Sequence, residues 1–120
     1  MKIAFTTSWE DLSSPLDARF GRAGKFLVYD LEAGSFAIAD NQQNLNAAQG
    51  AGIQAAQNVA QLGVEAVVTG HCGPKAFRVL SAAKIKIYNC AAATVAEALI
   101  QYRGGKLRQA LDADVEGHWV

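Results

Sequence analysis

The run Thr69-Gly70-His71-Cys72-Gly73-Pro74-Lys75-Ala76-Phe77 restricts the fold more than any other part of the chain, because it marks a place where a buried strand becomes a helix. Val64 to Thr69 is short and rich in β-branched residues, and Pro74 suits a first helical position, where its missing N–H would have no intrahelical partner. Gly73 is then the expected N-cap. The free N–H groups of the helix start would point toward the same space as His71 and Cys72, which gives an anion-attracting pocket with metal-binding side chains at its lip.

The 120 residues predict one domain, 1–120, with a single core. Hydrophobic residues make up 51% and charged residues 18%, which favours a packed α/β domain over disorder. Eleven basic residues balance eleven acidic ones, so a dedicated nucleic-acid binder is not expected and any anion site must be local. Met1 to Thr7 runs straight into a strand pattern, and no stretch approaches the length of a membrane span. The expectation is a cytoplasmic protein without membrane partners, whose two cysteines are free thiols, ligands or core residues rather than a structural disulfide.

Lys2 to Thr7 is the first expected strand, followed by a long polar loop from about Ser8 to Gly24 that carries Arg19, Phe20, Gly21 and Arg22. Lys25 to Leu31 and Ser35 to Asp40 form a hairpin across Glu32-Ala33-Gly34. From about Gly50 to Leu62 the period changes to that of a helix, with Ile53, Ala56, Val59 and Ala60 on the core side. After the Val64 strand, a second helix runs from about Pro74 to Ala83 with Ala76, Phe77, Leu80 and Ala83 at core spacing, and Ile85 to Asn89 is the last clear strand. Thr94-Val95-Ala96-Glu97 matches a capping box, Val95, Ala98, Leu99 and Tyr102 continue the helical spacing, and Gly104-Gly105 ends it. A loosely held tail is expected from about residue 106.

This order predicts a mixed five-stranded sheet that opens with an antiparallel meander. If the later crossovers are right-handed, strands one, three, four and five point the same way. Their carboxyl ends then share one edge, where ligands of open α/β sheets tend to bind. Topology alone thus brings together the loop of Arg19 and Arg22, the helix start at Gly50-Ala51-Gly52, His71 and both cysteines.

Three segments, Ser14-Pro15-Leu16-Asp17-Ala18-Arg19-Phe20-Gly21-Arg22-Ala23, Gly50-Ala51-Gly52-Ile53-Gln54-Ala55-Ala56 and the Thr69–Phe77 turn, together resemble the dinitrogenase iron-molybdenum cofactor-binding domain family. The resemblance covers nearly the whole chain. It implies a three-layer α/β/α, ribonuclease H-like fold and a role in carrying nitrogenase cofactor precursors or, as in one member, a non-covalently held molybdenum-copper sulfide cluster. Arg19 stands where many relatives have His, and His71-Cys72 fills a turn that varies among them, so the cluster type stays open.

The candidate cofactor contacts are Arg19, Phe20, Gly21, Arg22, Gly50, Gly52, His71, Cys72 and Gly73, with Cys72 and His71 as the candidate metal ligands. Each has a plainer reading. The arginines read equally as solvated loop charges, the glycines as close-packing positions, and His71 as a local hydrogen-bonding group. Cys90, beside three alanines, reads as a small buried hydrophobe, and Cys72, in what looks like an exposed polar turn, as the better ligand. No convergent carboxylates support a two-metal nuclease, and adjacent His71 and Cys72 are ill-placed to form a catalytic pair. The expected protein is a non-catalytic carrier or scaffold for an anionic, molybdenum-containing metal-sulfur cluster, with protein clients in cofactor delivery or complex assembly. The alternatives are a cofactor-free interaction module and a thiol redox protein using Cys72 and Cys90.

Overall fold

The structure is a computed structural model and describes residues 1–41 and 51–111. Its elements are β1 (Lys2–Thr7), β2 (Lys25–Asp30), β3 (Ser35–Asp40), α1 (Ala51–Ala60), β4 (Ala66–Thr69), α2 (Pro74–Ala82), β5 (Lys86–Asn89), α3 (Val95–Arg103) and β6 (Arg108–Gln109), with a short 3₁₀ turn at Phe20–Arg22. They form a mixed α/β domain around one sheet of order β3-β2-β1-β4-β5-β6. The β1-β2 and β2-β3 pairs are antiparallel, while β1-β4 and β4-β5 are parallel. Hence β1, β3, β4 and β5 point the same way, as the element order implies.

Burial follows position in the sheet. All four residues of β4 and the last five of β1 are buried, because these central strands are covered on both faces. Ala4, Phe26, Val67 and Ile87 pack on one face with Ala55, Ala56 and Val59 of α1 and Ala76 and Leu80 of α2. Ile3, Phe5, Leu27, Ala66 and Val68 pack on the other with Val95, Ala98 and Leu99 of α3. The result is three layers, helices over both faces of the sheet. Among the described residues no helix is long and apolar enough to cross a membrane.

One expectation needs correction. The sheet has six strands, not five. Gly105 takes a left-handed φ of 69° at the end of α3, which reverses the chain. Arg108 and Gln109 then lie antiparallel to β5, and the Ala110 N–H donates to the Ile87 carbonyl at 2.7 Å. This strand falls within the segment expected to be loosely held from about 106, and it is too short and polar to show alternation in sequence.

The buried stripes of two helices also differ from those read by periodicity. In α1 it runs through Gly52, Ala55, Ala56 and Val59, with Ala60 exposed and Ile53 half-buried. In α2, Ala76 and Leu80 are buried but Phe77 is only half-buried and Ala83, past the last helical turn, is exposed. Ile85, 6% exposed, fills the space beneath that end instead. The α3 cap forms nearly as expected: Thr94 Oγ1 accepts the Glu97 N–H at 3.2 Å, while Glu97 Oε2 accepts from Ala93 N–H, one residue earlier than in the usual box.

Candidate functional site

The long loop after β1 is ordered by hydroxyls buried at the strand ends. Thr6, Thr7 and Thr69 are each 0% exposed, so their hydroxyls need partners within the protein. Thr6 Oγ1 lies 3.0 Å from the Asp17 carbonyl oxygen and 2.9 Å from Thr69 Oγ1. Thr7 Oγ1 donates to the Pro15 carbonyl at 2.9 Å, and the Asp17 N–H donates to the Thr6 carbonyl at 2.7 Å. Farther along, Arg19 bridges His71 in a parallel sense and the Phe20 N–H donates to the His71 carbonyl at 3.0 Å. The loop is therefore strapped across the carboxyl ends of β1 and β4. Gly70 lets it lie close: a Cβ there would stand 2.6 Å from the Ala18 carbonyl oxygen.

This edge holds a pocket of about 460 Å³. After β4 the chain passes to α2 on one face of the sheet, and after β5 it passes to α3 on the other. Two neighbouring parallel strands whose continuations part in this way leave a crevice between their ends. Leu16 and Ala18 form the loop wall, Gly70 and His71 the β4 side, and Asn89, Cys90, Ala91 and Ala92 the β5 side. Asn89 laces the strand ends by donating its Nδ2–H to the Gly70 carbonyl at 3.1 Å. Cys90 Sγ accepts the Ala92 N–H at 3.4 Å and lies 3.6 Å from Gln101 Oε1, so the sulfur is held in place at the pocket wall.

Cys72 is buried where an exposed turn was expected, and Cys90 is buried as expected but also borders the pocket. Cys72 is 1% exposed and belongs to the apolar cluster of Phe20, Ala55 and Ala76, with Sγ 3.7 Å from the Gly73 carbonyl oxygen. Neighbouring residues of an extended segment project to opposite sides, and here the apolar side takes Cys72 while His71 is exposed and lines the pocket. Cys90, read as core, is 7% exposed and lines the pocket as well. Phe20 is also a core residue, 1% exposed with its ring centroid 5.9 Å from that of Phe26. Gly21, Gly52 and Gly73 are buried, whereas Arg19 and Arg22 are exposed in the loop beside the pocket. Gly50 lies outside the described residues, as do His118 and Trp119.

The pocket residues not among the candidate contacts are Leu16, Ala18, Gly70, Asn89, Cys90, Ala91 and Ala92. Their signal was positional: Asn89 ends a parallel strand, and Ala91 and Ala92 begin the turn that follows.

The donor set has a definite character. Among the described residues no three His, Cys, Asp or Glu side chains gather as a metal cage, and the pocket offers one imidazole, one sulfur and one amide between aliphatic walls. The α3 amides are engaged, Val95 N–H with the Ser14 carbonyl, Ala96 N–H with the Leu12 carbonyl and Glu97 N–H with Thr94 Oγ1. At the start of α2, the Lys75 and Ala76 amides have no carbonyl one turn back.

Burial raises the Asp17 carboxyl above its ordinary value of 3.8. The fold thus favours the protonated form, so this group's stabilising contribution is full below 3.8 and is lost as pH rises through the raised value. Asp17→Asn is expected to leave stability within about 0.5 kcal/mol at neutral pH, on the favourable side, because water screens a half-exposed group. Melting temperatures of both proteins across the acidic range check this, and parallel pH profiles would refute it.

The family model described as dinitrogenase iron-molybdenum cofactor matches residues 1–105. An uncharacterized protein of Methanocaldococcus jannaschii is 29% identical over 111 residues, 91% of each chain. The apo form of the orange protein from Desulfovibrio gigas superposes with a TM-score of 0.91 at 36% identity, over 95% of this chain and 96% of that one. A NifB-like protein from Thermotoga superposes with a TM-score of 0.80 at 30% identity, over 95% of this chain and 98% of that one.

Proposed function

We propose that this chain, which belongs to the dinitrogenase iron-molybdenum cofactor family, is a non-catalytic carrier or scaffold whose cargo is an anionic, molybdenum-containing metal-sulfur cluster held at the crevice between β4 and β5. The observation that carries the reading is the pocket itself. A spacious, largely aliphatic site with only His71, Asn89 and Cys90 as polar or soft groups is poorly suited to bind a bare ion by a full set of protein ligands. It suits a preassembled cluster that brings its own sulfides and needs walls, a few contacts and compensating positive charge. Arg19 and Arg22, in the loop beside the crevice, supply that charge in this reading, with Gly21 shaping their turn. Cys90 takes the soft-contact role first expected of Cys72, while Phe20, Gly52, Cys72 and Gly73 support the site from beneath.

A molybdenum-copper sulfide and an iron-molybdenum precursor are the two forms of cargo in this reading, and metal content distinguishes them. The strand order, with three antiparallel strands leading into parallel ones, supports the ribonuclease H-like description. A cytoplasmic location and protein clients that receive the cargo complete the proposal. The dithiol alternative has little support, since Cys72 and Cys90 belong to core clusters on opposite faces of the sheet.

Metal analysis of protein purified without air, followed by titration of the apoprotein with thiomolybdate and copper(I), tests the cargo. A visible chromophore with stoichiometric molybdenum is expected, and amide signals of Gly70, Asn89 and Ala91 should move while Gly34 and Gly63, at the opposite edge, stay still. A colourless protein with unmoved amides would return the chain to the interaction-module reading. Cys90→Ser should change the chromophore or its retention. Cys72→Ser should instead lower stability, by about 1–2 kcal/mol for a hydroxyl placed in an apolar cluster. The reverse ordering in absorbance titration and thermal melts would move the soft contact back to Cys72.

A further inference from the structure

We infer that a second pocket, formed where the loop after β1 turns toward α3, receives a cationic side chain, an arginine or lysine, presented by a partner protein. The inference stands apart from the cargo pocket and does not depend on it. The second pocket is about 240 Å³ and is lined by Trp9, Asp11, Ser13, Ser14 and Pro15. Trp9 is 66% exposed, an unusual outlay of apolar surface for the largest side chain of a small domain. The segment that carries it is braced. The Trp9 N–H donates to Thr7 Oγ1 at 3.3 Å, the same hydroxyl donates to the Pro15 carbonyl at 2.9 Å, and Ser14 is 3% exposed. A segment braced in this way loses little backbone freedom when a partner covers it.

Charge selects the partner. Ser13 N–H, Ser13 Oγ and Ser14 Oγ approach Asp11 Oδ1 at 2.9, 2.6 and 3.3 Å. Foremost the Ser13 hydroxyl holds the carboxyl below its ordinary range, so it is ionised at neutral pH. These three contacts converge on one oxygen, Oδ1. Among the described residues no lysine or arginine lines the pocket. An exposed indole beside an ionised carboxylate matches a guanidinium or ammonium, which stacks on the ring while its N–H groups meet the acid. Tryptophan and arginine are also the side chains that dominate protein interfaces.

N-acetyl-arginine methylamide and its uncharged citrulline counterpart are suitable probes, followed through the Trp9 indole N–H and the Ser13 amide by NMR. The arginine probe should give a saturable shift that weakens with added salt, and the citrulline probe none. Asp11→Asn, which keeps the Oδ1 contacts, should weaken binding about three- to fivefold, Trp9→Ala by at least as much, and Trp9→Phe by an intermediate amount. Unchanged core amide signals show that each variant is folded. A non-saturating shift, an equal response to citrulline, or undiminished binding by Asp11→Asn overturns the inference. So does an uncharged proline-rich peptide that moves the indole where arginine does not.

Discussion

Phe20→Ala will cost about 3–5 kcal/mol of folding stability, the range for truncating a buried aromatic ring. Against a total of about 5–15 kcal/mol for a domain of this kind, that leaves a marginal protein. The reason lies in where the ring goes: Phe20 follows Arg19 in the loop, yet it is 1% exposed and packs 5.9 Å from Phe26 in the cluster beneath α1 and α2. The loop's motif therefore divides residue by residue, with Phe20 as the buried anchor and Arg19 and Arg22 exposed. Arg19→Ala combined with Arg22→Ala should change stability by no more than about 1 kcal/mol, as exposed loop substitutions do, while cargo retention falls and becomes less sensitive to salt. Urea unfolding with an unchanged slope measures the first effect, and absorbance titration measures the second. A Phe20→Ala protein of wild-type stability would place the ring outside the core and return it to the list of cargo contacts.

What the sequence made legible was set by period and direction. The apolar runs Lys25 to Leu31 and Ser35 to Asp40 split by Glu32-Ala33-Gly34, the Gly73-Pro74 helix start and the Thr94 cap are local signals, and the elements appear close to the expected places. The shared direction of β1, β3, β4 and β5 follows from them, so the edge of the sheet that holds the pocket was within reach. Three features were not. Arg108 and Gln109 join the sheet only because the Gly105 turn carries them back to β5, a long-range pairing without a local pattern. The burial of Cys72 depends on the phase of side chains at its turn, where a shift of one residue reverses inside and outside. The crevice needs the face on which each helix packs, which became visible only from the separate clusters around α2 and α3. The strapping hydroxyls of Thr6 and Thr69 were hidden for a related reason. In a buried strand, threonine substitutes for valine in shape, and its hydroxyl shows its purpose only when the Asp17 carbonyl is seen above it.

Gly70→Ala is expected to destabilise the fold by about 1–3 kcal/mol and to reduce cargo retention beyond what the stability loss explains. The added Cβ would stand 2.6 Å from the Ala18 carbonyl oxygen and 2.7 Å from the Ala18 Cα, both backbone atoms that cannot turn aside. Nor can the loop retreat cheaply. The adjoining Asp17 is tied by its N–H to the Thr6 carbonyl at 2.7 Å and by its carbonyl to Thr6 Oγ1 at 3.0 Å. Relief must either break these buried contacts, at about 1–3 kcal/mol for a group left without a partner, or tilt the end of β4. In both cases Ala18 moves relative to Asn89 and Cys90, and the crevice changes shape. Gly24→Ala is the fitting control, because nothing lies within 4 Å of its added Cβ and a glycine replaced without strain tends to gain about 0.4–1 kcal/mol. Thermal melts, with the amide signals of Leu16 and Ala18, report the loop, and chromophore retention during gel filtration reports the site. If Gly70→Ala melts with the wild type and holds its cargo as well, the loop does not lie over β4 as described and the wall of the crevice must be sought elsewhere.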